Sequence, residues 1–302
     1  MLLCCVAVFL SSPASAQYFG QNKVQYQSFD FQVLRTEHFD IYFYPREQEG
    51  AVLAARLAER WYARLRQLLG HELRGRQPLI LYASHVDFEQ TNVVGGVLGE
   101  GTGGVTEGLQ RRIVLPLAGP LAETDHVIGH ELVHAFQFDM TTVPGAQPGT
   151  AGANRLPLWF IEGMAEYLSI GPRDPNTTMW LRDAAARERL PHIKDLDKPE
   201  YFPYRWGQAF WAYVAGRFGD GVVPRLLTIA PAMPLDKVLE EVLGVDVDQL
   251  TKDWHAAILS VSAPVLIAVG RELEGRDPIV RGKPFSAELN VGPALRDRKS
   301  VV

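Results

Sequence analysis

The segment of the chain most committed to chemistry is His130-Glu131-Leu132-Val133-His134. Residues four apart share one face of a helix, so the two imidazoles can reach a single metal ion. Imidazole suits Zn²⁺, and a catalytic zinc takes three protein ligands while keeping one position open for water. Glu131, one residue after the first histidine, turns its carboxylate towards that position and becomes the candidate general base. The same five-residue pattern also arises as two hydrogen-bonded histidines on a buried helix face. The flanks favour a helix that can do chemistry: Thr124 or Asp125 can serve as N-cap, and Val127, Ile128, Leu132, Val133 and Phe136 supply apolar residues for burial.

A third ligand must come from elsewhere, and the strongest stretch for it runs from Leu158 to Tyr167, LWFIEGMAEY. A carboxylate among Trp159, Phe160 and Ile161 is costly to bury unless it is paired or bound to metal. His126, one turn before His130, lies on the same helix face. A fourth protein ligand would close the site and make the zinc structural, so His126 is read as a capping or supporting histidine. His38, His71, His85, His192 and His255 have no partner at metal-binding spacing. Asp139, just after the HELVH segment, is either a support for a ligand or an ordinary carboxylate at a helix end.

HELVH followed by LWFIEGMAEY resembles the gluzincin metallopeptidases, whose second motif has the form W-x-x-E-G-x-A-x-Y on the helix that packs against the HExxH helix. The resemblance implies a zinc-binding glutamate at Glu162. It also implies that Glu166, one turn further on, orients a histidine ligand through its other ring nitrogen; a carboxylate on the helix surface is the alternative. Zinc hydrolases also need a donor for the oxyanion, usually Tyr or His. Related proteases place a catalytic tyrosine in a downstream helix, which points to Tyr204, with Tyr167 and Tyr201 as alternatives and an aromatic core residue as the competing role. The resemblance further implies that the strand before the HExxH helix lies at the sheet edge and pairs with extended substrate.

The remainder of the chain must position these groups. Its 302 residues, net charge of −5 and 47% hydrophobic content are ordinary for a globular protein with a large core. The acidic balance gives no reason to expect nucleic acid as a partner. Arg56, Arg60 and Arg64 recur at helical spacing and read as a solvated face. Residues 1–16 read as a signal peptide ending in Ala14-Ser15-Ala16, although no Lys or Arg precedes the apolar run. The run from Leu2 to Leu10 is too short to span a bilayer, so no transmembrane segment is expected in a mature chain starting at Gln17. Cys4 and Cys5 fall within that peptide and lack a lipoprotein context, so the expected product is exported, periplasmic or secreted, and free of disulfides.

Alternating stretches at Phe29–Leu34 and His38–Tyr44 predict strands, Gly50–Leu69 a helix capped by Gly70, and Leu79–Ala83 a further strand. Gly95–Gly108 lacks the Gly-Lys-Ser/Thr ending of a phosphate loop and reads as a mobile loop beside the cleft. Arg111–Leu117 is read as a strand, Thr124–Phe138 as the metal helix, Met140–Pro157 as an ordered crossing loop, and Leu158–Ser169 as the Glu162 helix. Helices are then expected at Thr178–Leu190, Trp206–Phe218, Val222–Ile229, Pro234–Leu243 and Asp246–Ser260. The expected fold is α+β and zincin-like: an N-terminal mixed sheet with helices, a mainly helical C-terminal lobe, and the active-site helix in the groove between them. The domain would span 17–262, with a sheet-bearing lobe at 17–140 and a helical lobe at 155–262. Residues 263–302 would form a linker and, by the same resemblance, the truncated start of a TolB-like β-propeller at Leu289–Leu295, or a tail.

These expectations describe a zinc-dependent peptidase; the alternative is a non-catalytic binding or scaffold module of the cell envelope that retains the protease fold. The partner is a peptide or protein substrate, with one zinc per chain held by His130, His134 and Glu162. Glu107, ahead of the expected edge strand, is the one acidic group noted that could hold a substrate amine. Nothing in the sequence specifies an oligomeric state.

Overall fold

A computed structural model describes residues 23, 25–95, 97–99, 101–143, 145 and 151–273. The signal-peptide and propeller expectations lie outside these residues, as does part of the 140–157 crossing loop. Strands β1 (Gln32–Arg35) and β2 (Phe39–Phe43) form an antiparallel hairpin with Val33 opposite Tyr42. Helix α1 (Gln48–Leu69) then crosses to β3 (Gln77–Tyr82), which runs parallel to β2 with Ile41 opposite Leu79. Gly70 ends α1 in the left-handed conformation at φ 60°, where a glycine carries no Cβ penalty. The short α2 (His85–Glu89) leads to β4 (Val105–Glu107) and β5 (Arg112–Pro116).

The sheet order is β1-β2-β3-β5-β4, and this corrects two expectations. β5, the strand directly before the HELVH helix, is interior: it is parallel to β3 on one side and antiparallel to β4 on the other. The edge on that side is β4, drawn from the glycine-rich run that the sequence presents as a loop. A three-residue strand flanked by glycines carries no alternation for periodicity to detect.

The alternation of β2 explains how the sheet builds the core. Phe39, Ile41 and Phe43 are buried on the face covered by α1 and by α3 (Leu121–Thr141), while Asp40 and Tyr42 point the other way. On that opposite face Tyr44, Tyr82, Phe88 and Val114 form a smaller cluster under Phe29 and Phe31. The main cluster is continuous from the sheet through α3 into the later helices, with Phe136, Phe160, Phe210, Trp211 and Trp254 fully buried.

Those helices are α4 (Leu158–Ile170), α5 (Pro175–Ala186), α6 (Pro203–Phe218), α7 (Val222–Ile229), α8 (Leu235–Leu243) and α9 (Val247–Leu273). The mixed sheet with a mainly helical second half agrees with an α+β class. Several boundaries differ from the sequence reading: α5 lies at 175–186 rather than 178–190, and α6 starts at Pro203 rather than Trp206. α3 starts three residues earlier, with Pro120 as N-cap, and Asp125 instead accepts from the Trp61 indole Nε1 at 2.7 Å and pairs with Arg60. α9 continues beyond Ser262, through Pro264, to Leu273. No helix among the described residues is long and apolar enough to cross a membrane.

The contact that sets α4 against α6 is a glycine pair. A Cβ on Gly207 would lie 2.0 Å from the Trp159 carbonyl oxygen, and one on Gly163 would lie 2.3 Å from the Gly207 backbone. Only two residues without side chains let these backbones meet, which explains the glycine of the EGMAE segment in packing terms. Gly207→Ala is therefore expected to destabilise the protein by about 1–3 kcal/mol or more in urea unfolding. Gly216→Ala, on the same helix with open space around it, should instead leave stability unchanged or raise it by up to about 1 kcal/mol. Equal effects at the two positions would refute the role assigned to the crossing.

Candidate metal centre

α3 and α4 present their polar groups to each other across an otherwise apolar contact. From α3 come His130 and His134, one turn apart and both buried. From α4 comes Glu162, with Glu166 one turn later. His130 Nε2 lies 3.1 Å from Glu162 Oε2, His134 Nε2 lies 3.2 Å from the same oxygen, and the two ring nitrogens are 3.2 Å apart. In a tetrahedral zinc site with ligand bonds of 2.0–2.2 Å the donor atoms sit about 3.4 Å from one another. The three atoms therefore have the spacing and the chemistry to hold such an ion. The resemblance-derived ligand set is brought together by the fold, on two helices.

The other nitrogen of each imidazole faces a polar group, by a hydrogen bond at His134 and at ion-pair distance at His130. His134 Nδ1 lies 2.8 Å from Gln137 Oε1, and the Gln137 amide donates to the Ile161 carbonyl at 2.9 Å, tying α3 to α4. The amide oxygen can only accept, so His134 carries its proton on Nδ1 and turns Nε2 towards Glu162. His130 Nδ1 faces Glu166 Oε1 at 3.2 Å. Glu166 is buried and is also held by His126 Nε2 at 3.1 Å and by Arg205 at 3.2 Å, with Arg205 reaching on to Asp174 at 3.1 Å. His126, His130 and Glu166 form a second cluster with donor atoms close together. The Arg205 guanidinium against Glu166 makes that position unfavourable for a cation, so the His130, His134 and Glu162 group is the stronger candidate.

Glu131 is buried beside this group. Its Oε2 accepts from the Thr106 hydroxyl at 2.7 Å, and the Glu131 backbone carbonyl lies 2.9 Å from the same hydroxyl. A hydroxyl has one proton to give, and the charged oxygen is the stronger acceptor. Edge strand β4 reaches this close because Gly104 has no side chain: a Cβ there would lie 2.9 Å from Glu131 Cγ. Tyr204, in the first turn of α6, stacks on His130 with centroids 5.8 Å apart and planes at 18°. Burial, together with the neighbouring Glu162 carboxylate, raises its hydroxyl well above an ordinary phenol, so it stays protonated.

Other candidates are engaged elsewhere. Tyr167 donates to Asp220 at 2.8 Å, and Tyr201 lies near Trp206. Asp139, fully buried, is held by His71 at 2.7 Å, Arg74 at 3.1 Å and Arg111 at 3.2 Å, none of them part of the centre. Glu107 closes the β4–β5 turn by accepting from the backbone N–H of Gln110 at 3.0 Å and pairing with Arg112 at 3.3 Å, which leaves no free carboxylate for a substrate amine. Gln137, Thr106 and Arg205 were not singled out from the sequence. Only Gln137 had a signal, its place three residues after His134 on the same helix face.

Residues 115–254 match the model of a family described as "Peptidase of plants and bacteria" (BSP), a stretch that begins at the end of β5 and contains both motifs and Tyr204. No curated protein matches the chain. The match supports peptidase activity.

Burial alone would lower the histidines, but Glu162 and Glu166 outweigh it: His130 is raised to about 10, and His134 is raised through Glu162. Burial alone would raise the glutamates, but the histidines hold Glu162 far below the carboxylate range and Glu166 at about 2. In metal-free protein the histidines contribute stability that is fully present below 6.5 and lost as pH rises towards about 10. The glutamates contribute stability present above 4.5 and lost as pH falls towards about 2. Chelator-treated protein should therefore lose more unfolding free energy on Glu162→Gln near about pH 5.5 than near about pH 10. A penalty that grows with pH would contradict the ion-pair assignment.

Proposed function

We propose that this chain is a zinc-dependent peptidase of gluzincin type, with His130, His134 and Glu162 as the metal ligands and Glu131 as general base. The observation that carries the reading is the convergence of two imidazole nitrogens and one carboxylate oxygen, each 3.1–3.2 Å from the others, with a further buried glutamate beside them. The peptidase family match supports it independently. When bound, zinc would polarise the scissile carbonyl and make the attacking water more acidic.

The chain's own groups supply the rest. Thr106 anchors Glu131 Oε2, which leaves the other carboxylate oxygen to take a proton from the attacking water and later return it to the leaving amine. Tyr204, kept protonated by its surroundings, would donate to the oxyanion that develops on the carbonyl. Glu166, Gln137 and Arg205 hold the imidazoles in orientation, a role whose loss weakens metal sites by about 10–100-fold. The unpaired side of β4 offers backbone groups to an extended peptide. Export to the periplasm or outside the cell belongs to the same proposal and rests on the N-terminal sequence alone.

Glu131→Gln is expected to retain about one zinc per chain by metal analysis while kcat on casein falls about 10²–10⁴-fold. Full activity in the zinc-loaded variant would end this mechanism. An absence of zinc and of chelator-sensitive cleavage in the parent protein would favour a binding scaffold instead. Thr106→Val removes one hydrogen bond to a charged group and should lower kcat about 10–100-fold with KM little changed, and Thr106→Ser should restore most of it. An unaltered kcat in Thr106→Val would show that Glu131 needs no such anchor.

A further inference from the structure

The run of aromatic contacts that begins at the candidate centre does not stop at Tyr204. Phe202 lies 5.2 Å from the Tyr204 ring, and Trp180, on α5, lies 5.7 Å from Phe202. Trp180 is also a wall of a cavity of about 550 Å³ between α5 and the start of α6, with Ala184, Leu190, Tyr201 and Trp206 among its lining residues. A shallower recess beside Phe202 shares the same tryptophan. Interiors rarely leave voids larger than a water molecule, whereas ligand sites are concave, largely apolar and of this size.

The lining says what would fit. Trp180, Tyr201 and Trp206 present aromatic surface, with Tyr201 and Trp206 already edge to face at 85°. The apolar Met179 and Phe202 stand exposed beside the openings, at 52% and 43%. At the rim of the more enclosed cavity Arg187 and Asp183 neutralise each other at 2.8 Å, so that pair does not call for a charged occupant. Arg189 and Glu200, also at the rim, form no ion pair among the described residues and remain for backbone polar groups passing the mouth. Three ring-to-ring steps, each shorter than 6 Å, link His130 to Trp180. An extended peptide advancing about 3.3 Å per residue covers that span in at most about five residues.

We propose that this cavity is a specificity pocket for a bulky aromatic side chain of the peptide substrate, within about five residues of the scissile bond. The proposal rests on the peptidase reading for its substrate, but its binding test does not depend on catalysis. Short unstructured peptides would be prepared in pairs, with Phe or Ala at one position. Binding is measured calorimetrically on Glu131→Gln protein, and cleavage on the parent. The Phe member of at least one pair should bind and be cleaved about tenfold or more better than its Ala partner. Met179→Glu, at an exposed position, puts charge at the mouth, and Ala184→Leu fills the floor; both should shrink that ratio. Equal binding of all pairs, or a ratio unchanged in both variants, overturns the pocket while leaving the peptidase proposal standing. If the parent cleaves nothing, the peptidase reading fails and the binding ratios alone decide the pocket.

Discussion

Two carboxylates one turn apart on α4 face two imidazoles one turn apart on α3, and neither pair could be buried without the other. A lone buried carboxylate or imidazolium carries a desolvation cost that only a matched partner offsets. Here the match is nearly complete: Glu162 meets both Nε2 atoms, Glu166 meets His130 Nδ1, and Gln137 meets His134 Nδ1. The same pairing that makes the contact tolerable brings three donor atoms to zinc-like spacing. Replacing protons by a divalent cation would keep the charges balanced and remove the need for raised histidines.

Everything around this contact serves to hold it in register. Trp61 on α1 donates to Asp125 at the start of α3, which fixes that helix against α1. The glycine crossing between α4 and α6 brings the first turn of α6 over the centre, so Tyr204 reaches His130 and Arg205 reaches Glu166. β4 closes the other side, where Gly104 and Thr106 lie against Glu131. Asp139, held by His71, Arg74 and Arg111, anchors the far end of α3 to the α1–β3 connection and to the β4–β5 turn. The centre is thus assembled from three helices and one edge strand, with the chemistry-bearing side chains on regular elements.

What could be read from the residue order was whatever is local to one helix. The i, i+4 spacing of His130 and His134, the placement of Glu131 between them, and the one-turn separation of Glu162 and Glu166 are consequences of 3.6 residues per turn. The helical second half and the strands near β1 and β2 were legible for the same reason, since burial on one face leaves a period. What the order could not supply was contact between distant segments. Thr106 reaches Glu131 across 25 positions, and Arg205 reaches Glu166 across 39. The edge position of β4 rather than β5 depends on strand pairing, which no periodicity records. The start of α3 at Pro120 shows the same limit: Asp125 looked like a cap until the indole of Trp61 claimed it. Residue types and helical spacing therefore determined which groups could act, because those follow from local geometry; the tertiary structure alone decided which of them meet, because long-range packing, down to the absence of a Cβ at Gly163 and Gly207, sets the distances between elements.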